Sequence, residues 1–158
     1  VFDLSPGATG LTLALFFAPF ALLQYPFGIV SDRIGRTIPI VVGSALYGGA
    51  VILVGAVSGL RAAQASMVLV GVLGALMAPA TLALVTDLAA PTERGVAMAG
   101  FNIAGSLGFL AGILGGGVTA DAYGYGTAFL FVGGLELALA AVTLPAFLRL
   151  GGRRMVDA

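Results

Sequence analysis

The chain has no cysteine and no histidine, and its seven basic residues are all arginine. These absences exclude disulfides, thiolate metal sites, histidine general bases and Schiff-base lysines, so we predict neither a metal nor a cofactor. Charged residues make up only 9% of the chain, whereas a typical soluble domain carries about 25%. The net charge is zero, which gives no indication of nucleic-acid binding.

Long apolar runs make up most of the chain. Hydrophobic residues account for 59% of it, and the mean hydropathy is +1.11. A helix that crosses a hydrocarbon core of about 30 Å needs about 20 apolar residues. Five segments reach this length, at about 8–30, 38–57, 65–88, 96–120 and 127–148. Any one of them alone fits a buried soluble helix or strand, but five in succession predict an all-α membrane protein, a single bundle of five transmembrane helices.

The arginines predict the orientation of this bundle. If the spans alternate in direction, six of the seven arginines fall on one side of the membrane and only Arg61 falls on the other. By the positive-inside rule the six mark the cytoplasmic side, so we expect the C-terminus to lie in the cytoplasm. We expect the protein itself to lie in the plasma membrane. The six are Arg33, Arg36, Arg94, Arg149, Arg153 and Arg154.

A short pattern recurs with inverted direction. Span one ends in a G-x-x-x-D-x-x-G pattern that returns at the end of span four, at an offset of 89 residues. Span one runs toward the cytoplasm and span four runs away from it, so the two copies are related by inverted topology, as in many secondary transporters. The paired residues are Gly28 and Gly117, Asp32 and Asp121, and Gly35 and Gly124.

The stretch GIVSDRIGR, from Gly28 to Arg36, resembles the major facilitator superfamily signature between the second and third helices of each six-helix half. The stretch from Pro79 to Gly100 resembles that family's passage from the fourth helix into the fifth. The resemblance implies a secondary transporter that moves a small molecule by alternating access, with a proton as the expected coupling ion. It also implies that the five spans are helices two to six of one half. Because the chain begins at Val1 and not at Met, we interpret it as a fragment whose first helix and other half are missing.

Two departures from the family pattern favour the C-terminal half. Ser66 stands where the N-terminal half usually has an arginine, 13 residues before the matching proline. Ile113 replaces the proline of the G-x-x-x-G-P motif that drug antiporters carry in their fifth helix.

The resemblance also implies a cytoplasmic latch, in which the loop acid and arginines bind neighbouring helix ends. We predict Asp87 as the partner of Arg36 or Arg33, and Glu93 as the second candidate. We expect the loop carboxylate to gain from a helix N-terminus, and the glycines to permit close approach and tight turning. The alternative is that the arginines only anchor topology at the headgroups. The residues assigned to the latch are Gly28, Asp32, Arg33, Gly35, Arg36, Asp87, Glu93 and Arg94.

Polar residues within the spans are few, and each has two interpretations. Either they line a largely apolar substrate cavity, suited to an amphiphilic or hydrophobic substrate, or they form interhelical hydrogen bonds. These candidates are Gln24, Tyr25, Asn102 and Thr81. Glu136 lies in the middle of span five, where a carboxylate is costly; it is either a protonation site or a protonated or hydrogen-bonded structural group.

Glycines in span four form small-x-x-x-small faces, which predict close helix packing. The residues concerned are Gly108, Gly112 and Gly116. An alternative role for this glycine-rich backbone is bending during transport.

Two other functions compete with transport. An intramembrane enzyme is disfavoured, because the acidic residues are scattered over different loops and both sides of the membrane. A truncated or non-transporting membrane scaffold, inactive without the other half, is the stronger alternative. The predicted partners are the lipid bilayer, a small-molecule substrate and the missing half.

Single-cysteine variants test the predicted topology against a cysteine-free background. Arg33→Cys and Arg94→Cys are both expected to react with a membrane-impermeant maleimide from the cytoplasmic face. Arg61→Cys, on the opposite side, serves as the control. Labelling of positions 33 and 94 from opposite faces would contradict the topology.

Overall fold

The computed structural model describes residues 5–156, and these form five helices without a strand. The helices are α1 (Pro6–Ile34), α2 (Thr37–Ala56), α3 (Leu60–Leu88), α4 (Arg94–Tyr123) and α5 (Tyr125–Val156). Each is long and apolar enough to cross a membrane. In lipid the backbone polar groups must bond within the chain, and a helix achieves this within a single segment. The prediction of an all-α membrane protein with five transmembrane helices is confirmed.

Three of the four corners between the helices are short turns that glycine makes possible. Gly35, Gly59 and Gly124 have φ of +90°, +104° and +87°, a region that side chains with a Cβ rarely adopt. Gly124 alone separates α4 from α5. Because the corners need so few residues, most helices extend a few residues beyond the predicted spans.

Helix α3 is at the centre of the packing. It packs against α1 on one side and α2 on the other, and α2 in turn packs against α5. Helix α4 packs mainly against α5, and none of its residues is buried. The main core cluster therefore joins α2 to α3, through Ala50, Val51, Val70 and Leu73. A second cluster nearer the predicted cytoplasmic end comprises Ile40, Ala80 and Leu84.

Helices α1 and α3 approach each other at Gly71. A Cβ built on Gly71 would lie 2.3 Å from the carbonyl oxygen of Phe16 and 2.9 Å from Cγ of Pro19. Helices α2 and α3 are similarly close at Gly43, where a Cβ would lie 2.8 Å from the Cβ of Met77. Only glycine fits at either position without moving the facing helix.

Helices α2 and α5 meet along four glycines, which we call the α2–α5 seam: Gly48, Gly55, Gly126 and Gly133. A Cβ on Gly133 would lie 2.7 Å from the carbonyl oxygen of Gly48. A Cβ on Gly55 would lie 2.8 Å from the carbonyl oxygen of Gly126. Small residues let membrane helices approach closely, so this seam holds α5 against α2.

The glycines of α4 have a different environment. Among the described residues, no atom of another helix lies within 4 Å of a Cβ built on Gly108 or Gly112, and a Cβ on Gly116 would meet only Val132, at 3.8 Å. Of the glycines in the described part of the chain, the closely packed ones thus lie on α2, α3 and α5. Packing by the α4 glycines stays a prediction.

We expect Gly71→Ala to destabilise the bundle by about 1–3 kcal/mol, because the new methyl group meets the backbone of α1 and forces the helices apart. The matched control is Gly112→Ala, also within a helix, where open space leaves only the helix-favouring effect of alanine. The free energy of unfolding of both variants is measured by titration with a denaturing detergent. Equal stability of the two would show that the α1–α3 contact does not hold the bundle.

Candidate functional site

Three helix ends meet at the corner between α1 and α2. Helix α1 ends at Ile34, Gly35 turns the chain with its positive φ, and Arg36 directly precedes the first residue of α2. The last turn of α3 brings Asp87 to the same place, because α1 and α3 pack side by side. We call Ser31, Asp32, Arg36 and Asp87 the corner cluster.

Arg36 connects the members of the corner cluster. Its Nε donates to Oδ2 of Asp87 over 3.3 Å, which links the α1–α2 corner to the end of α3. One terminal nitrogen donates to Oδ1 of Asp32 and to Oγ of Ser31, the latter over 3.2 Å. Ser31 is fully buried, so the guanidinium is fixed from the protein side as well as by its two carboxylates.

The electrostatics of the corner keep Arg36 charged. Partial burial lowers the pKa of Arg36, but hydrogen bonds and charge interactions with Asp32 and Asp87 outweigh this, and the net pKa lies above its usual value. The Arg36 side chain is 19% exposed, compared with 62% for Asp32 and 34% for Asp87. The pair with Asp87 is therefore less open to water than an ordinary surface ion pair.

The structure places the loop carboxylate at the C-terminus of its own helix, so a gain from the N-terminus of the adjoining α2 stays a prediction. Asp32 lies in the last turn of α1 and Asp87 in the last turn of α3, so both stand at the negative ends of their helix dipoles. Arg36 offsets this unfavourable placement, because a cation near a helix C-terminus is stabilised. One guanidinium thus serves as the counterion of two carboxylates beside two helix C-termini.

The other residues assigned to the latch are not brought into the corner cluster. Arg33, Glu93 and Arg94 are exposed, and both ion pairs found among the described residues belong to Arg36. Gly35 makes the tight turn as expected, but Gly28 is not needed for close approach. A Cβ there would make an ordinary contact with Pro79, at 3.9 Å.

The matching corner between α4 and α5 has the same backbone without the arginines. Gly35 has φ and ψ of +90° and +155°, and Gly124 has +87° and +160°. Tyr125 stands where the first corner has Arg36, and Asp121 is exposed. The repeated pattern thus corresponds to a repeated turn.

An apolar cavity of about 530 Å³ lies among the helices. All five helices contribute to its walls, and of the described side chains that line it, those of Tyr47 and Tyr125 are polar. Other lining residues include Phe16, Phe109, Phe129 and Val132.

The structure does not place the four substrate candidates around this cavity, because Gln24, Tyr25, Asn102 and Thr81 do not line it. Tyr25 is 80% exposed, and Asn102 is exposed. The Thr81 hydroxyl donates to the carbonyl oxygen of Met77 in its own helix, over 2.9 Å. A substrate role for these residues stays a prediction.

Sequence reasoning missed two polar contacts. Ser31 precedes the charged motif, but nothing in its spacing indicates that its side chain is buried beneath Arg36. At the opposite ends of α1 and α3, Nε2 of Gln64 donates to Oγ1 of Thr12 over 3.2 Å. Helices α1 and α3 are therefore joined by polar contacts at both ends.

Comparison with known proteins supports the family resemblance. The family model of the Major Facilitator Superfamily matches residues 1–154. The chain is 33% identical over 141 residues to an uncharacterized MFS-type transporter of Methanocaldococcus jannaschii, covering 87% of this chain and 36% of that protein. It is also 33% identical over 135 residues to a "probable actinorhodin transporter" of Streptomyces coelicolor, covering 84% of this chain and 22% of that protein.

The chain therefore spans about a third or less of the length of these curated relatives. The family model nevertheless covers nearly all of it, including the corner cluster and all five apolar helices. This integral membrane protein belongs to the Major Facilitator Superfamily.

Proposed function

We propose that the chain forms most of one lobe of a membrane transporter that moves a small molecule by alternating access. Family membership and transporter-named relatives support this proposal, and they favour transport over catalysis. The lobe works against a second half in the cell membrane, with its C-terminus in the cytoplasm. Transport is coupled to an ion, and we propose a proton.

The corner cluster is the proposed cytoplasmic latch, and the bond from Arg36 to Asp87 is the observation that carries this assignment. Opening the lobe toward the cytoplasm requires the inner ends of its helices to shift. Arg36 opposes such a shift, because it is held by Asp32 and Ser31 on α1 and by Asp87 on α3. The latch thus favours the state that is closed on the cytoplasmic side.

The strength of this contact suits a latch that must also release. Ion pairs near a surface contribute about 0.2–1 kcal/mol, and a hydrogen bond to a charged group about 1.5–3 kcal/mol. Since Asp87 is 34% exposed, we place the contact at about 1 kcal/mol, the upper end of the surface range. This energy changes the ratio of two states by about five-fold and leaves both accessible.

A second candidate is a non-transporting membrane scaffold, inactive without the other half. The observation that favours it is the absence of any buried residue on α4, which leaves one helix of five with little packing in this chain. Proteoliposomes that contain the chain with and without a complementary half distinguish the candidates. Uptake of an amphiphilic dye only when both halves are present supports the transporter. Absence of uptake in both preparations supports the scaffold.

We expect Arg36→Gln to open the cytoplasmic side. The measurement is the reaction rate of a reporter cysteine at Thr81, in the inner half of α3, with a membrane-impermeant maleimide in the full-length protein. The rate should rise about five-fold, because loss of about 1 kcal/mol shifts the closed state toward the open one. Asp87→Asn should have a similar effect.

Arg33→Gln is the matched control, since Arg33 lies in the same corner but is exposed and outside both ion pairs. If Arg33→Gln and Arg36→Gln raise the rate equally, the arginines act only as topology anchors and the latch is wrong.

A transport assay provides a second test of the latch. Asp32→Asn weakens the hold of α1 on Arg36, so transport by the full-length protein should fall while membrane insertion is retained. A normal transport rate in this variant would remove the latch from consideration.

A further inference from the structure

Glu136 is the one acidic residue that lies deep within a helix among the described residues. It stands eleven residues after the start of α5, which places it about 16 Å along the helix axis. The apolar part of α5 runs over Tyr125–Leu150, so Glu136 lies close to its middle. Asp32, Asp87 and Asp121 all lie in the last turns of their helices.

The surroundings of Glu136 belong to the α2–α5 seam. Its side chain is half-buried, and the polar side chain beside it on α2 is Ser44, whose hydroxyl donates to Sδ of Met77 over 3.6 Å. Leu137, the next residue, and Gly133, one turn earlier, both contact Gly48. The carboxyl group is therefore held at the edge of the closest backbone contact between the two helices.

No cation faces this carboxyl group among the described residues. On α2 the one titratable residue is Tyr47, whose phenol is neutral at ordinary pH and lies close enough to Glu136 to interact electrostatically. On α4, which also packs against α5, the titratable side chains lie at the two ends: Arg94, Asp121 and Tyr123. Both ion pairs in the described part of the chain belong to Arg36, so a charged Glu136 would have no counterion there.

We propose that Glu136 and Ser44 form an intramembrane protonation site on the α2–α5 seam. Glu136 keeps its proton at neutral pH, because an unpaired carboxylate inside the bilayer is costly. Loss of the proton draws water to the carboxylate, and the close contact of Gly48 with Gly133 leaves no room for that water. Deprotonation therefore loosens α5 from α2. This inference does not depend on transport activity.

Labelling with dicyclohexylcarbodiimide tests the protonation state directly, since this lipid-soluble reagent adds to protonated carboxyl groups in apolar surroundings. In liposomes that contain the full chain, mass spectrometry should find the adduct on Glu136 at pH 7 and not on exposed Asp32. The adduct should disappear as the pH is raised. Absence of the Glu136 adduct at pH 7 overturns the proposal.

Ser44→Ala separates the proposed site from a generally apolar environment. A Ser44 hydroxyl that turns from Met77 to the carboxylate would favour the charged form, so removal of this group should move the labelling profile to higher pH. The matched control is Ser66→Ala, a buried serine of α3 whose hydroxyl donates to the Ala62 carbonyl oxygen in its own helix. Equal profiles for both variants would exclude Ser44 from the site.

Glu136→Gln tests the effect of the proton on the seam. If native Glu136 is protonated while an unfolded glutamate is ionised, the native state binds one more proton, and stability falls as the pH rises. The detergent resistance of the wild type should therefore fall between pH 6 and pH 9, whereas that of Glu136→Gln should fall much less. The same pH dependence in both proteins would show that the proton does not control the seam.

Discussion

Close contact between backbones is the constraint on which the rest of this structure depends. Lipid tails are as apolar as the side chains they meet, so the hydrophobic effect gives transmembrane helices little reason to associate. The helices must instead gain contacts that lipid cannot supply, and small residues permit this. Gly71 brings α3 onto the backbone of α1, and the α2–α5 seam does the same for the outer pair. With α3 also packed on α2, four of the five helices form one connected unit.

The polar contacts follow from this packing. Since α1 and α3 touch at Phe16 and Gly71, about a third of the way along each helix, and pack side by side, their ends lie together on both faces of the membrane. One end is joined by two neutral groups, Gln64 and Thr12, and the other by the charged pair of Arg36 with Asp87. The two ends therefore differ in how they respond to the environment, because salt screens a partly exposed ion pair and hardly affects a neutral hydrogen bond.

Sequence reasoning found what depends on length and composition, and missed what depends on neighbours. Apolar runs of about 20 residues predicted five helices, and Asp87 was identified as the acid at the inner end of the third span. The direction of the Asp32 helix dipole was missed, because span one was predicted to end at residue 30 and α1 continues to Ile34. The contacts of Gly48 and Gly133 were missed for another reason: a small residue indicates that close approach is possible but does not identify its partner.

The two matching corners show which features of the corner depend on the backbone and which depend on the charged side chains. Gly35 and Gly124 make nearly the same turn, although the second corner has Tyr125 in place of Arg36. The turn therefore does not need the arginine. Topology does not need the contacts of Arg36 either, since the exposed Arg33 supplies a positive charge on the same side. What remains to explain the fully buried Ser31 and the bond to Asp87 is a requirement for the guanidinium at one fixed position. A group that joins two helix ends at a fixed position acts on their separation, which is the quantity that the proposed latch controls.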